Sequence, residues 1–200
     1  MEQKEVWRHL LRIKIAVVGD GMVGKSTLIK AYLKGRALAD TSYRMTVGAD
    51  IFLKEDIIDV NPMGKIKIQW LIWDLAGQQR FNTVRPIYYS SSRGLVAVYD
   101  ITRRKTFVNL PAWLNEAIKF IGGAVPIVLV ANKIDLRQKN INTVKREEGE
   151  KYSRLLEEKL GVPVFFVEAS AINNLNVGEV FGLMGKAILS NLLRNVRRKK

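Results

Sequence analysis

The sequence predicts an α/β fold, a mostly parallel sheet covered by helices on both faces. Two observations carry this. Short apolar runs alternate with amphipathic stretches along the chain, and several of those runs end in a polar cluster, as buried strands feeding loops do. With 200 residues and 48% apolar content, one domain with a sizeable core is expected.

Taken in order, "IKIAVV" (Ile13 to Val18) reads as the first strand, and "KSTLIKAYLKG" as a helix stopped by Gly35. "DIFLKEDIIDV" and "KIKIQWLIWD" alternate apolar and polar positions around the turn "NPMG", so they read as an antiparallel hairpin. "GLVAVYD", "VPIVLVANK" and "VPVFFVEAS" read as buried strands. The remaining helices are expected near Arg104–Ile121, Thr143–Leu160 and Val177–Asn191. Gly19, Asp74, Asn132 and Ser170 each fall at the carboxyl end of an apolar run. In an open α/β sheet those ends share one edge, where ligands bind.

Composition narrows the partners. The chain carries 33 basic and 19 acidic side chains, a net charge of +14, with five of the cations in the closing "RNVRRKK". Such a balance suits nucleic acid, anionic lipid or an acidic protein alike. No nucleic-acid motif accompanies it, so nucleic acid is not expected. The tail reads as a solvated end of the last helix; the alternative is weak, salt-sensitive contact with an anionic membrane, about 1 kcal/mol per cation. Cysteine is absent, which removes disulfides, thiolate metal sites and prenyl anchors; Glu2 in place of glycine removes the usual myristoylation signal. His9 stands alone and cannot form a multi-histidine metal site. No window reaches the roughly 18 uninterrupted apolar residues of a spanning helix. A cytoplasmic protein, peripheral at most, is the expectation.

The stretch "GDGMVGKST" fits G-x-x-x-x-G-K-[ST] and lies between a strand and a helix. In the loop Gly19, Asp20, Gly21, Met22, Val23 and Gly24, the glycines let backbone N–H groups curl around phosphate oxygens with no Cβ in the way. The helix opening at Lys25, Ser26 and Thr27 adds its unsatisfied N–H groups. Lys25 supplies charge to the terminal phosphates, and the Ser26 hydroxyl can reach Mg²⁺. After the third strand, "WDLAGQ" offers Asp74 to Mg²⁺ through a water, the Gly77 N–H to a γ-phosphate, and Gln78 to orient an attacking water. In "NKIDL", Asp135 accepts two hydrogen bonds from a purine edge with two donors, which guanine presents and adenine does not. The stem of Lys133 covers one face of the base, Asn132 ties this loop to the phosphate loop, and Leu136 follows. "EASAI" brings Ser170, Ala171 and Ile172, with further N–H groups near the guanine oxygen.

Together with "TVGADIF", "WDLAGQQRFNTVRPIYY" and "VYDIT", these motifs resemble the Ras superfamily of small GTPases, nearest its Rab-like branch, from about Ile13 to Ile188. The resemblance implies a P-loop NTPase fold: six strands, one of them antiparallel, with about five helices. It implies residues 13–191 as the GTPase domain, with 1–12 an extension and 192–200 a basic tail. It also implies Mg²⁺ and GTP or GDP as ligands, with Gln78, Lys25 and Gly77 in catalysis. Thr46 would reach Mg²⁺ beside Ser26 and Asp74, Tyr43 would close over the phosphates, and Gly21 would leave room for the hydrolytic transition state. The switches would be 37–49 and 75–92, read by effectors, an exchange factor and an activating protein. Hydrolysis is expected to be slow without that last partner, and the chain to be a monomer.

Three positions depart from the family pattern. Ala39 stands where an aromatic usually covers the guanine edge, Ile172 where lysine is common, and the chain ends "RRKK" where Rab-like chains carry prenylated cysteines. Arg44, two residues before Thr46, reads either as a solvated loop cation or as a catalytic arginine within the chain. Two other readings share the phosphate loop. A guanine-nucleotide binding module without hydrolysis is opposed by Gly21 and Gln78, and a nucleotide kinase by "NKID" and the lack of a recognisable lid.

Overall fold

A computed structural model of the chain describes residues 10–35, 49–60, 64–75, 85–139 and 142–197. Its strands are β1 (Leu10–Val18), β2 (Ala49–Val60), β3 (Gly64–Leu75), β4 (Gly94–Asp100), β5 (Ile127–Asn132) and β6 (Val164–Ala169). The helices are α1 (Lys25–Lys34), α2 (Arg85–Tyr89), α3 (Arg104–Val108), α4 (Leu110–Ile121), α5 (Arg146–Leu160) and α6 (Val177–Arg197). A 3-10 helix covers Ile134–Lys139. The six strands form one sheet in the order β2-β3-β1-β4-β5-β6. Only β2 and β3 pair antiparallel; every other neighbour is parallel.

Alternation along β1 builds the core on both faces. Ile13, Ile15 and Val17 pack with Leu28, Ile29 and Tyr32 of α1 and with Phe181, Met184 and Ile188 of α6. Ala16 and Val18 point the other way, into Leu110, Trp113 and Leu114 of α4 and Leu156 of α5. β4 and β5 are buried at every position, as expected of central parallel strands. The parallel register aligns Val17 with Asp74, and Asp100 with Asn132 and Asn132 with Ala169, so the strand ends reach one edge together.

The elements differ from the sequence reading at several points, among them α5, which begins at Arg146 rather than near Thr143. β1 starts at Leu10, because Leu10 to Arg12 extend the ladder with β3. The helix expected over Arg104–Ile121 is broken at Asn109 into α3 and α4. Pro111 lies in the first turn of α4 and has no N–H with which to continue the ladder of α3. The short α2 and the 3-10 helix carry too few periodic positions to be seen in the sequence. Finally, α6 runs on to Arg197, as "NLLRNVR" contains neither glycine nor proline to stop it.

Phe181 is fully buried and stacks on Tyr32 with ring centroids 3.7 Å apart, joining α6 to α1 on one face of the sheet. Phe181→Ala is expected to lower the free energy of unfolding by about 3–5 kcal/mol, read from urea denaturation.

Candidate functional site

The loop after β1 is shaped by contacts that a side chain would destroy. Gly19 has φ +136°, and a Cβ there would lie 2.1 Å from the Val98 carbonyl oxygen. A Cβ on Gly24, at φ +97°, would lie 2.3 Å from the Asn132 amide nitrogen. Met22 holds a left-handed φ of 66° without being glycine, a conformation that needs support from its surroundings.

That support comes through the carbonyl oxygens. The Lys25 ammonium, itself buried, donates to Gly19 O and Asp20 O, both at 2.8 Å. Arg103 Nη2 donates to Gly21 O at 3.0 Å, Lys133 Nζ to Met22 O at 2.9 Å, and Asn132 Nδ2 to Val23 O at 2.8 Å. Gly24 O accepts from Leu28 N at 2.8 Å, in the first turn of α1. In a planar trans peptide the C=O and the following N–H point in opposite directions. Anchoring the carbonyls of residues 21–24 therefore turns the N–H groups of Met22, Val23, Gly24 and Lys25 to the other side of the loop. A row of N–H groups at a helix start is a seat for an anion.

Asn132 reaches two ways, since its Oδ1 also accepts from Ala171 N at 3.1 Å. The loop after β6 is thereby joined to the loop after β1. Ser170 Oγ donates to Asp135 Oδ1 at 2.5 Å, which orients the carboxylate at the start of the 3-10 helix. Leu136 N closes that turn on Lys133 O at 3.0 Å, with Lys133 at a left-handed φ of 69°. Arg137 pairs with Glu168, tying the 3-10 helix to β6. Ile172, beside Ala171, is exposed. Deeper in, Ser26 Oγ donates to Oδ2 of Asp74, a fully buried carboxylate near the end of β3, and Thr27 follows in α1.

Nearly every residue singled out in the loops after β1, β5 and β6 meets its neighbours at this edge. Asp20 is the qualified case: its carboxylate accepts from Trp113 Nε1 at 2.6 Å and Asn109 Nδ2 at 2.7 Å, so its side chain braces the loop against α4. Ala39, Tyr43, Arg44, Thr46, Gly77 and Gln78 lie outside the described residues.

Asp100, Arg103, Asn109 and Trp113 were not recognised in the sequence as part of the site. Asp100 carried a usable signal, being a carboxylate that ends a wholly buried strand at the ligand edge. Its Oδ1 accepts from Thr102 N and Thr102 Oγ1 at 2.9 and 2.7 Å; its Oδ2 accepts from Arg103 Nε at 3.0 Å and Lys133 Nζ at 2.7 Å. Burial pushes its pKa up, but the bonds from Lys133 and Thr102 and the Lys133 charge outweigh that and hold it below the ordinary carboxylate range.

Among the described residues, no helix is long and apolar enough to cross a membrane. Fold and edge geometry together define a P-loop nucleotide-binding architecture. Comparison with known proteins narrows this. The Ras family model matches residues 14–190. The Ras-related protein Rab-26 of Rattus norvegicus is 39% identical over 175 residues, 88% of this chain and 63% of its own length. The Ras-related protein SEC4 of Saccharomyces cerevisiae is 34% identical over 183 residues, 92% of this chain and 78% of its own. The Ras-related protein Rab-12 of Mus musculus is 33% identical over 189 residues, 94% and 72% respectively. The chain belongs to the Ras family, among its Rab-like members. It spans less than two thirds of the Rab-26 sequences it matches.

A carboxyl whose native pKa lies below its unfolded value stabilises the fold above about pH 4 and loses that contribution as pH falls toward the native value. The stability difference between the wild type and Asp100→Asn is therefore expected to be constant from pH 6 to 7 and to shrink below about pH 4, followed by urea titrations across that range.

Proposed function

We propose that the chain is a GTP-binding and GTP-hydrolysing molecular switch. The observation that carries this is the two-way bond of Asn132, which at the end of β5 links the loop before α1 to the loop after β6. Phosphates would sit on the N–H groups of Met22 to Thr27, with the Lys25 ammonium beside them. Guanine would lie between the Lys133 stem and the Ser170–Ala171–Ile172 turn. Asp135, preset by Ser170, would accept from both guanine donors, an edge that adenine cannot supply.

The donor set also suits Mg²⁺, which is commonly held by one or two carboxylates together with substrate phosphates. A serine hydroxyl directed at a buried aspartate offers the hard oxygens it prefers. Ser26 and Thr46 would hold the ion directly and Asp74 through water; when bound it supplies charge neutralisation at the phosphates. Lys25 stabilises charge that develops on the leaving oxygens, Gln78 orients the attacking water, and the Gly77 N–H meets the γ-phosphate. Tyr43 closes over the phosphates. Loss of the γ-phosphate removes the anchor to which Thr46 and Gly77 tie segments 37–49 and 75–92. Effectors would read that difference, and an exchange factor and an activating protein would set its timing.

The test is single-turnover hydrolysis of GTP bound with Mg²⁺, run beside Gln78→Leu. Slow turnover that falls further in the variant is expected; tight GTP binding with no turnover in the wild type would overturn hydrolysis and leave a binding module. Asp135→Ala is expected to weaken GDP binding by about a hundredfold, through loss of two charge-assisted bonds, measured by fluorescent-nucleotide titration against the adenine analogue.

A further inference from the structure

Arg103 stands at the start of α3 with one hand on each of two structures. Its Nε donates to the buried carboxylate of Asp100, and its Nη2 to the carbonyl of Gly21, 82 positions away in sequence. The side chain is 40% exposed while Asp100 is 1% exposed, so the guanidinium reaches out from a buried carboxylate. Lys133 repeats the arrangement one residue further on, pairing with the same Asp100 oxygen and donating to Met22 O. A buried carboxylate thus holds two cations, and the two cations hold two consecutive carbonyls. Planarity of the peptide bond passes this on. With Gly21 O held outward, the Met22 N–H must face the opposite side, where a phosphate would sit.

We propose that Arg103 is a positioning residue for bound guanine nucleotide: anchored on Asp100, it clasps the loop at Gly21 from outside and slows release of the phosphates. The proposal rests on the nucleotide-binding reading above. The rigid, planar fork of arginine suits it to serve a carboxylate and a carbonyl at once. Arg104 is the natural control. It is the adjacent cation on the same helix, more exposed at 58%, and it pairs with Glu148 of α5 rather than with the loop.

The experiment measures release of fluorescently labelled GDP from the Mg²⁺-loaded protein in the wild type, Arg103→Ala and Arg104→Ala. The phosphorus NMR spectrum of bound GDP is recorded for each. Release about tenfold faster in Arg103→Ala is expected, the worth of one charge-assisted bond, with a displaced β-phosphorus resonance. Arg104→Ala is expected to stay within about twofold of the wild type with its spectrum unmoved. Equal behaviour of the two variants would overturn the clasp, because removal of charge alone would then explain the effect. Faster release in Arg103→Ala without a phosphorus shift would overturn it too, as general loosening. A wild type that takes up no GDP would instead reject the nucleotide-binding reading.

Discussion

Four consecutive carbonyl oxygens, from Gly21 to Gly24, are held by groups outside the loop they belong to, and the candidate site depends on this. The loop has no repeating hydrogen-bond pattern to fix it, and its glycines weaken any local preference. Order comes instead from Arg103, Lys133, Asn132 and the first turn of α1, each fastening one peptide unit. Because a peptide is rigid, a bond on one side sets the direction of the donor on the other. The recognition surface is an indirect product of contacts made on its far side.

The sheet makes those contacts possible. Parallel strands require a crossover between neighbours, so residues far apart in sequence arrive at the same edge. Asp100, Asn132 and Ala169 are level across β4, β5 and β6, and Gly19 leaves β1 beside them. Close packing there tolerates no added atom: the Val98 carbonyl would meet a Cβ on Gly19 at 2.1 Å. The glycine requirements at 19 and 24 are thus imposed by the neighbouring strand ends, through the Val98 carbonyl and the Asn132 amide.

Much of this was legible in the sequence, for a reason that can be stated. Buried central strands such as β4 and β5 show as continuous apolar runs, and a phosphate loop shows as glycines at fixed spacing before lysine, so both were readable. Elements below about two turns, α2 and the 3-10 helix, lack the periodicity that would reveal them. The clasp of Asp100 and Arg103 was hidden because its meaning lies in Gly21, 82 residues earlier, and only the fold brings them together. Asp20 was readable as part of the loop, but its side chain's turn toward Trp113 and Asn109 was not.

The break between α3 and α4 sets helix continuity against order at the site. Pro111 interrupts the ladder two residues after Asn109, which keeps helical dihedrals and whose amide reaches Asp20. The junction therefore carries two donors, Asn109 Nδ2 and Trp113 Nε1, that share the one Asp20 carboxylate, so a single acidic side chain ties the loop after β1 to residues 89 and 93 positions further along the chain.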